Sequence, residues 1–382
     1  MRKLLTTVLG SCVLALSLAP AHARDEIRVG VTGTFTGPAA SIGIPYQQAA
    51  RLFPEEIGGR KVEWVVLDDG GDPNLAVRNA RRFTEDLEVD AILGSTSPPG
   101  SMAIFDVAIE SGTPQLSLAP VGIPADRRTW LFSVPQPVPV MVSALVEHMV
   151  ANNIARVAYI GFTDSWGDQN HDALVQEAEK AGITVLTNER YNRTDTSVTA
   201  QTLRMLASSP DAVFIGASGT PAVLPNIELR DRGFTGQIYN SHGSISPFVL
   251  RAGGAAMEGS IAPTGPIVVT ESLPDDYPTK APALDFLAIY EGEYGPDSRN
   301  PFAGYAWDAM LILSAAIPDA LAVAEPGTPE FREALRAAIG GGREVAGTHA
   351  VYRYTEDDRY GVDERSRVLV VVTDGRYEFL PH

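Results

Sequence analysis

The chain has 382 residues, 45% of them hydrophobic, a formal net charge of −17 and one cysteine, Cys12. An acidic balance of this size argues against nucleic acid and anionic membrane surfaces as partners, and one cysteine leaves no disulfide framework to build on. The length is enough for two ordinary domains with full cores.

The chain opens MRKLLTTVLGSCVLALSLAPAHA. Arg2 and Lys3 form a basic start, Leu4 to Ala19 is mostly apolar, and Ala21-His22-Ala23 has the small-x-small ending of a cleavable secretory signal. Residues 1–23 are therefore expected to be removed after Ala23, and the apolar run is too short to span a membrane. Leu9-Gly10-Ser11-Cys12 bears a faint likeness to a lipoprotein cleavage box, but Cys12 reads as an ordinary residue of the discarded segment. The expected mature protein is exported, soluble, not inserted in the membrane and free of cysteine.

From Glu26 onward short β-rich runs alternate with longer helical ones. Strands are expected at 27–33, 62–69, 90–94, 114–119, 156–162, 184–191, 212–217 and 236–241. Helices are expected near 43–53, 73–86, 139–152, 166–181, 196–207 and 221–232. Near-continuous apolar strands separated by helices predict an α/β fold with parallel, doubly wound sheets covered on both faces. Asp72-Pro73 reads as an N-cap followed by proline at the first helical position; Asp68, Asp69 and Asp72 do not have the spacing of a calcium loop. Pro135, Pro137 and Pro139 make 131–139 an extended connector, after which the alternation restarts. A second crossing is expected at 262–266. The helices at 281–294, 305–322 and 329–339 have no strands between them and should return to an existing sheet. Asp374-Gly375 between two strand-like runs predicts a hairpin.

No nucleophile elbow, zinc-protease motif, phosphate-binding loop or dinucleotide fingerprint is present. His148, His171, His242, His349 and His382 lack metal-ligand spacing. No enzymatic activity, cofactor or metal is expected. One segment does carry binding chemistry: ILGSTSPPGSMA, residues 92–103, reads as a strand end, a polar loop and a helix start. It gathers Ser95, Thr96, Ser97 and Ser101. Such a loop suits an anion, although Pro98 and Pro99 remove two N–H donors.

VGVTGTFTGPAASIG (29–43), VLDDGGDPNLAV (66–77), the loop at 94–101, GTPQLSLA (112–119) and YIGFTDSWGD (159–168) occur in the order and spacing found in the leucine/isoleucine/valine-binding proteins. The chain resembles this family, the type I periplasmic solute receptors of ABC transporters, over essentially its whole mature length. The resemblance implies two doubly wound lobes joined by a three-strand hinge: lobe 1 from 24–136 plus 268–345, lobe 2 from 137–267 plus 346–382. It also implies a ligand in the cleft between them, closure of the lobes upon it, and delivery by a monomeric receptor to an inner-membrane permease with its ATPase. This agrees with the general placement of ligands beyond the carboxyl ends of strands and between domains.

In amino-acid-binding members, loop N–H groups and two hydroxyls meet the ligand carboxylate, and an acid of the second lobe meets the ammonium. Carried onto this chain, the first hydroxyl falls on or beside Pro98, leaving Ser97, Thr96 or Ser101 to serve. The second falls near Val121, which retains only its N–H. The acid falls at His242, in Ile238-Tyr239-Asn240-Ser241-His242-Gly243. A neutral or cationic imidazole cannot neutralise an ammonium, and burying an unpaired ammonium is costly. His242 suits a second acceptor instead: a carboxylate, a keto oxygen or a phenol. Asp164 would restore the amino-acid reading if it entered the cleft. Ile42, Trp166, Phe35 and Phe302 are expected as apolar walls, and Ser218 with Gly219 and Thr220 as a small-residue edge with room for a ring. Tyr305, Trp307 and Asp308 read as structural. The favoured ligand is a small carboxylate without ammonium, such as an aromatic or 2-oxo acid. Leucine, isoleucine, valine or another apolar amino acid is the alternative, and a ligand sensor for a signalling partner is the alternative of another class.

Overall fold

The computed structural model describes residues 23–381; residues 1–22, where the signal segment and Cys12 are expected, and His382 lie outside the described residues. Two mostly parallel sheets organise the chain. The first has strand order β2-β3-β1-β4-β5-β6. Its strands are β1 (Glu26–Gly33), β2 (Glu56–Ile57), β3 (Arg60–Asp68), β4 (Ala91–Leu93), β5 (Gln115–Ser117) and β6 (Leu131–Ser133). β1, β3, β4, β5 and β6 run parallel and only the short edge strand β2 is antiparallel.

The second sheet takes β7 (Arg156–Phe162), β8 (Thr184–Tyr191), β9 (Ala212–Gly216), β10 (Gln237–Asn240) and β11 (Ile261–Thr264) in parallel. Between this sheet's two contributions to the chain lies a two-stranded ribbon of β12 (Val345–Ala346) and β13 (Val351–Tyr352). β14 (Val368–Thr373) then pairs antiparallel with β11, and β15 (Arg376–Leu380) with β14. The full order is β15-β14-β11-β10-β9-β7-β8. The strands β4, β5 and β9, and the edge strand β6, are buried at every position, as expected when helices cover both faces of the sheets.

The eight strands expected from apolar runs are present with boundaries moved by at most two residues. Two segments expected as connectors are strands: β6 and β11. β11 contains Pro263, which is tolerated because only Tyr239 and Ile261 are in register between β10 and β11. The hairpin at Asp374-Gly375 joins β14 to β15. Asp72 caps the helix Pro73–Arg81 by accepting from the Asn74 N–H at 2.8 Å. The helix expected from 305 begins earlier, at Pro301, because the Asn300 side chain caps it through the Phe302 N–H at 2.9 Å.

Each sheet carries its own core. The helices Lys280–Tyr294, Pro301–Leu321 and Pro329–Ile339 return to the first, burying Phe286, Leu313, Phe331 and Leu335 against Val29, Val31 and Leu116. Ala350, Tyr352 and Tyr354 pack into this same core, although the sequence reading placed 346–382 with the second lobe. Among the described residues no helix is long and apolar enough to cross a membrane.

Candidate functional site

The chain turns toward one cleft at the carboxyl ends of strands from both sheets. Thr34 follows β1, Thr96 to Pro98 follow β4, and Leu118 to Pro120 follow β5; opposite them stand Trp166 after β7, Arg193 after β8, Ser218 after β9, and His242 with Gly243 after β10. The cleft encloses about 480 Å³ of space between atoms, open solvent included. Ile42, Tyr46, Phe302 and Tyr305 add apolar wall.

The first-sheet side is organised by two acids below it. Asp69 is buried and accepts from Ser95 Oγ at 2.5 Å, Thr34 Oγ1 at 2.9 Å and the Gly71 N–H at 3.0 Å. Burial pushes its carboxyl up, against these three donors. Asp68 accepts from Thr36 Oγ1, the Phe35 N–H and the Gly70 N–H. The two acids thereby hold the 33–36 and 95–97 loops in register, and the Thr34 N–H donates to Thr96 Oγ1 at 2.9 Å. Thr96 is thus an acceptor toward the protein, and among the described residues nothing accepts its hydroxyl proton, which is available to the cleft. Ser97 is similar: its Oγ caps the helix Pro98–Ala103 by accepting from the Gly100 N–H at 3.3 Å.

The second-sheet side presents an ion-paired guanidinium. Asp164 caps the helix Ser165–Ala181, accepting from the Trp166 and Gly167 N–H groups at 3.0 and 3.4 Å. Its other oxygen receives Arg193 Nε at 2.6 Å. Arg193 Nη1 donates to Ser218 Oγ at 3.0 Å and the guanidinium lies 4.2 Å from the Phe162 ring centroid. Nη2 is buried without a partner among the described residues. Trp166 and His242 meet edge to face with centroids 5.0 Å apart. Trp166 Nε1 and both ring nitrogens of His242 are also buried without a partner. Burial holds the His242 imidazole down to about 3, so the ring is neutral.

The two sides touch. The Thr220 N–H donates to Ser41 Oγ across the cleft at 3.3 Å. Gly243 is required by close packing: a Cβ there would stand 2.7 Å from the Ser218 Cβ and 2.8 Å from the Trp166 ring. Among the described residues no acid lines the cleft, and no group of three or more potential metal ligands occurs.

The periplasmic binding protein family matches residues 26–371. The chain belongs to that family. An extracellular ligand-binding receptor from Rhodopseudomonas palustris HaA2 is 45% identical, with a TM-score of 0.92 over 93% of this chain and 100% of that one. A putative branched-chain amino acid ABC transporter protein from Rhodospirillum rubrum is 26% identical, with a TM-score of 0.64 over 93% of this chain and 100% of its own. The Leu/Ile/Val-binding protein BraC3 of Rhizobium johnstonii is 25% identical over 353 residues, 89% of this chain and 90% of the relative. The two-sheet architecture is thus that of type I periplasmic binding proteins.

Of the residues expected at the site, Ile42, Thr96, Ser97, Trp166, Ser218 and His242 are brought together in the cleft. Ser101 and Val121 are not. Ser101 Oγ donates to the Ser95 carbonyl and accepts from Ser117 Oγ. Val121 packs with Phe105 and Leu131, and its carbonyl accepts from the Tyr360 hydroxyl. Asp164 stands behind the cleft wall, committed to Arg193 and to its cap. Phe35 packs behind the wall near Gly33, whereas Phe302 lines it. Tyr305, expected as structural, does both: its ring lines the cleft and its hydroxyl donates to Gln136 Oε1 at 2.6 Å. Arg193 was not foreseen. Its position two residues beyond β8, at a carboxyl strand end, is the signal that marks it.

Proposed function

We propose that this protein is the solute-receiving component of an ABC uptake system, and that its solute is a small organic acid without a free ammonium group. Membership of the periplasmic binding protein family and the ABC-transporter relative from Rhodospirillum rubrum support the transport role and a permease with its ATPase as partner. The observation that carries the ligand class is Arg193. It brings an unpartnered Nη2 to a cleft lined by no acid, because Asp164 is already spent on Arg193 itself. A carboxylate entering between Arg193 and the hydroxyls of Thr96 and Ser97 meets donors on both sides. An ammonium would meet a guanidinium and a neutral imidazole, and would be buried uncompensated. Aromatic and 2-oxo acids fit this polarity, with Ile42, Tyr46 and Phe302 against the apolar part.

A thermal-shift screen with matched pairs tests the reading: leucine against 4-methyl-2-oxopentanoate, and phenylalanine against phenylpyruvate. A ligand present at about 100 times its Kd adds roughly 2.7 kcal/mol of stability. The acids should raise the melting temperature and the amino acids leave it in place. A shift with the amino acids alone would overturn the proposal in favour of the reading that the name of the Rhizobium relative carries.

A further inference from the structure

We infer that the ligand carries a hydroxyl group, which sits between His242 and Trp166. This rests on the organic-acid reading of the same cleft and narrows it.

The two rings meet at 5.0 Å, edge to face, on the second-sheet wall. His242 is 95% buried and Trp166 is 98% buried. Buried polar atoms are nearly always hydrogen-bonded, and each exception needs an explanation. Here the indole N–H and both imidazole nitrogens lack partners among the described residues, and both residues line the cleft. The chemistry of the missing partner follows from what each ring demands. Indole Nε1–H can only donate, so it needs an acceptor. A neutral imidazole carries one N–H and one lone pair, and the lone pair needs a donor.

A carboxylate or keto oxygen fills the indole N–H and leaves the imidazole lone pair empty. An ammonium fills the lone pair and leaves the indole N–H empty. A ligand hydroxyl does both with one oxygen: its proton goes to the unprotonated nitrogen of His242 while its oxygen accepts from Trp166 Nε1. A site whose buried groups depend on a ligand hydroxyl discriminates strongly against the analogue that lacks it, since those groups are then left unpaired. Gly243 contributes by letting its backbone pack closely against Ser218 and the Trp166 ring, since any Cβ would press on both. Arg193 remains for the carboxylate. The ligand class is therefore a hydroxy acid, either an alcohol or a phenol.

Calorimetric titration of the full mature chain at neutral pH separates the two claims. The probes are phenylacetate and 4-hydroxyphenylacetate, 3-phenylpropionate and 3-(4-hydroxyphenyl)propionate, and 4-methyl-2-oxopentanoate and 2-hydroxy-4-methylpentanoate, each alongside its amide. In at least one pair the hydroxylated acid should bind on the order of tenfold or more tighter than its parent. His242→Phe, shown to be folded by its melting transition, should erase that preference, bringing the two members of each pair to the same affinity. Trp166→Phe, which keeps a ring and removes only the N–H donor, should reduce the preference without abolishing it. Equal affinities within every pair would mean that solvent partners the two rings, and would overturn the inference. So would a preference that survives in His242→Phe. Amides binding as well as their acids would defeat the carboxylate reading while leaving the hydroxyl preference readable. Failure of every acid and amide to bind would overturn both.

Discussion

Arg193 Nε donates to Asp164 Oδ2 at 2.6 Å, and this one contact sets the sign of the cleft. β7 and β8 pair from Arg156–Thr184 to Phe162–Tyr191, with a one-residue shift after Val157. The residues just past their ends, Asp164 and Arg193, are therefore brought side by side. The acid turns back to cap its helix and the guanidinium extends forward, sharing Ser218 and presenting Nη2. Arg193 is thus the charged side chain that lines this wall, and among the described residues no carboxylate lines it.

Arg193→Gln should weaken binding of an organic acid by about 1.5–3 kcal/mol, the range for a hydrogen bond to a charged group, which is about 10- to 150-fold in Kd. Titration calorimetry measures it. Asp164→Asn retains an N-capping oxygen and loses only the ion pair, so its cost should appear mainly as weaker acid binding through a less well positioned Arg193, with a melting temperature close to that of the unmodified protein.

Thr96→Val separates hydroxyl from shape. The hydroxyl accepts from the buried Thr34 N–H and keeps its own proton for the cleft. The valine should cost about 1–3 kcal/mol of stability, because the Thr34 donor is stranded, and should weaken acid binding as well. Ser101→Ala is the contrast: Ser101 Oγ is used up between Ser95 and Ser117. It should lower stability and leave affinity unchanged. Urea denaturation and calorimetry on the two variants read the difference.

The fold was largely legible because buried parallel strands write themselves as unbroken apolar runs. β7, at Arg156–Phe162, begins and ends where its run does, and β9, at Ala212–Gly216, within one residue of it. β6 and β11 were not legible, being short and flanked or interrupted by proline, so that local chemistry spoke for a connector and the sheet overruled it. At the site, Thr96, Ser97 and His242 were legible because each lies in a loop directly after a recognisable strand. Arg193 was not. It sits in Asn192-Arg193-Thr194-Asp195, where turn residues dominate, and its partner is 29 positions away. Only strand adjacency joins them. The same applies to Asp164, whose side chain had two destinations open until the β8 end was placed beside it.

The histidines give a pH signature with a definite sign. Burial holds His242 and His349 down to about 3, against an ordinary value near 6.5. The unfolded chain takes up protons at these rings below pH 6.5 and the folded chain does not until near pH 3. The stability conferred by the neutral rings is therefore complete above pH 6.5 and is lost as the pH falls toward 3. By pH 4.5 the loss is on the order of 2–3 kcal/mol per histidine. The stability advantage of the unmodified protein over His242→Phe should shrink by that amount between pH 7 and pH 4.5, as followed by urea denaturation. Binding of a fully ionised acid should be flat from pH 6 to 8. Binding that strengthens below pH 6.5 would show that a protonated His242 reads the carboxylate.

Gln136 links the cleft to the crossings behind it. Its Oε1 accepts from the Tyr305 hydroxyl at 2.6 Å and its Nε2 donates to the Ser366 carbonyl at 2.6 Å. It lies on the first crossing between the sheets, just after β6, and Ser366 lies on the last, just before β14. Tyr305 lies on the helix Pro301–Leu321, its ring stacked on His349 at 3.8 Å. All of these groups are buried. Gln136→Leu preserves volume but strands the tyrosine hydroxyl and the carbonyl, each at about 1–3 kcal/mol. Stability in urea should fall by the sum, and acid affinity should fall too, because the Tyr305 ring that lines the cleft loses its tether. Tyr305→Phe strands only the Gln136 oxygen, so its stability loss should be close to half as large. Equal losses in the two variants would mean that the Gln136–Ser366 contact contributes nothing and that the two crossings are held independently.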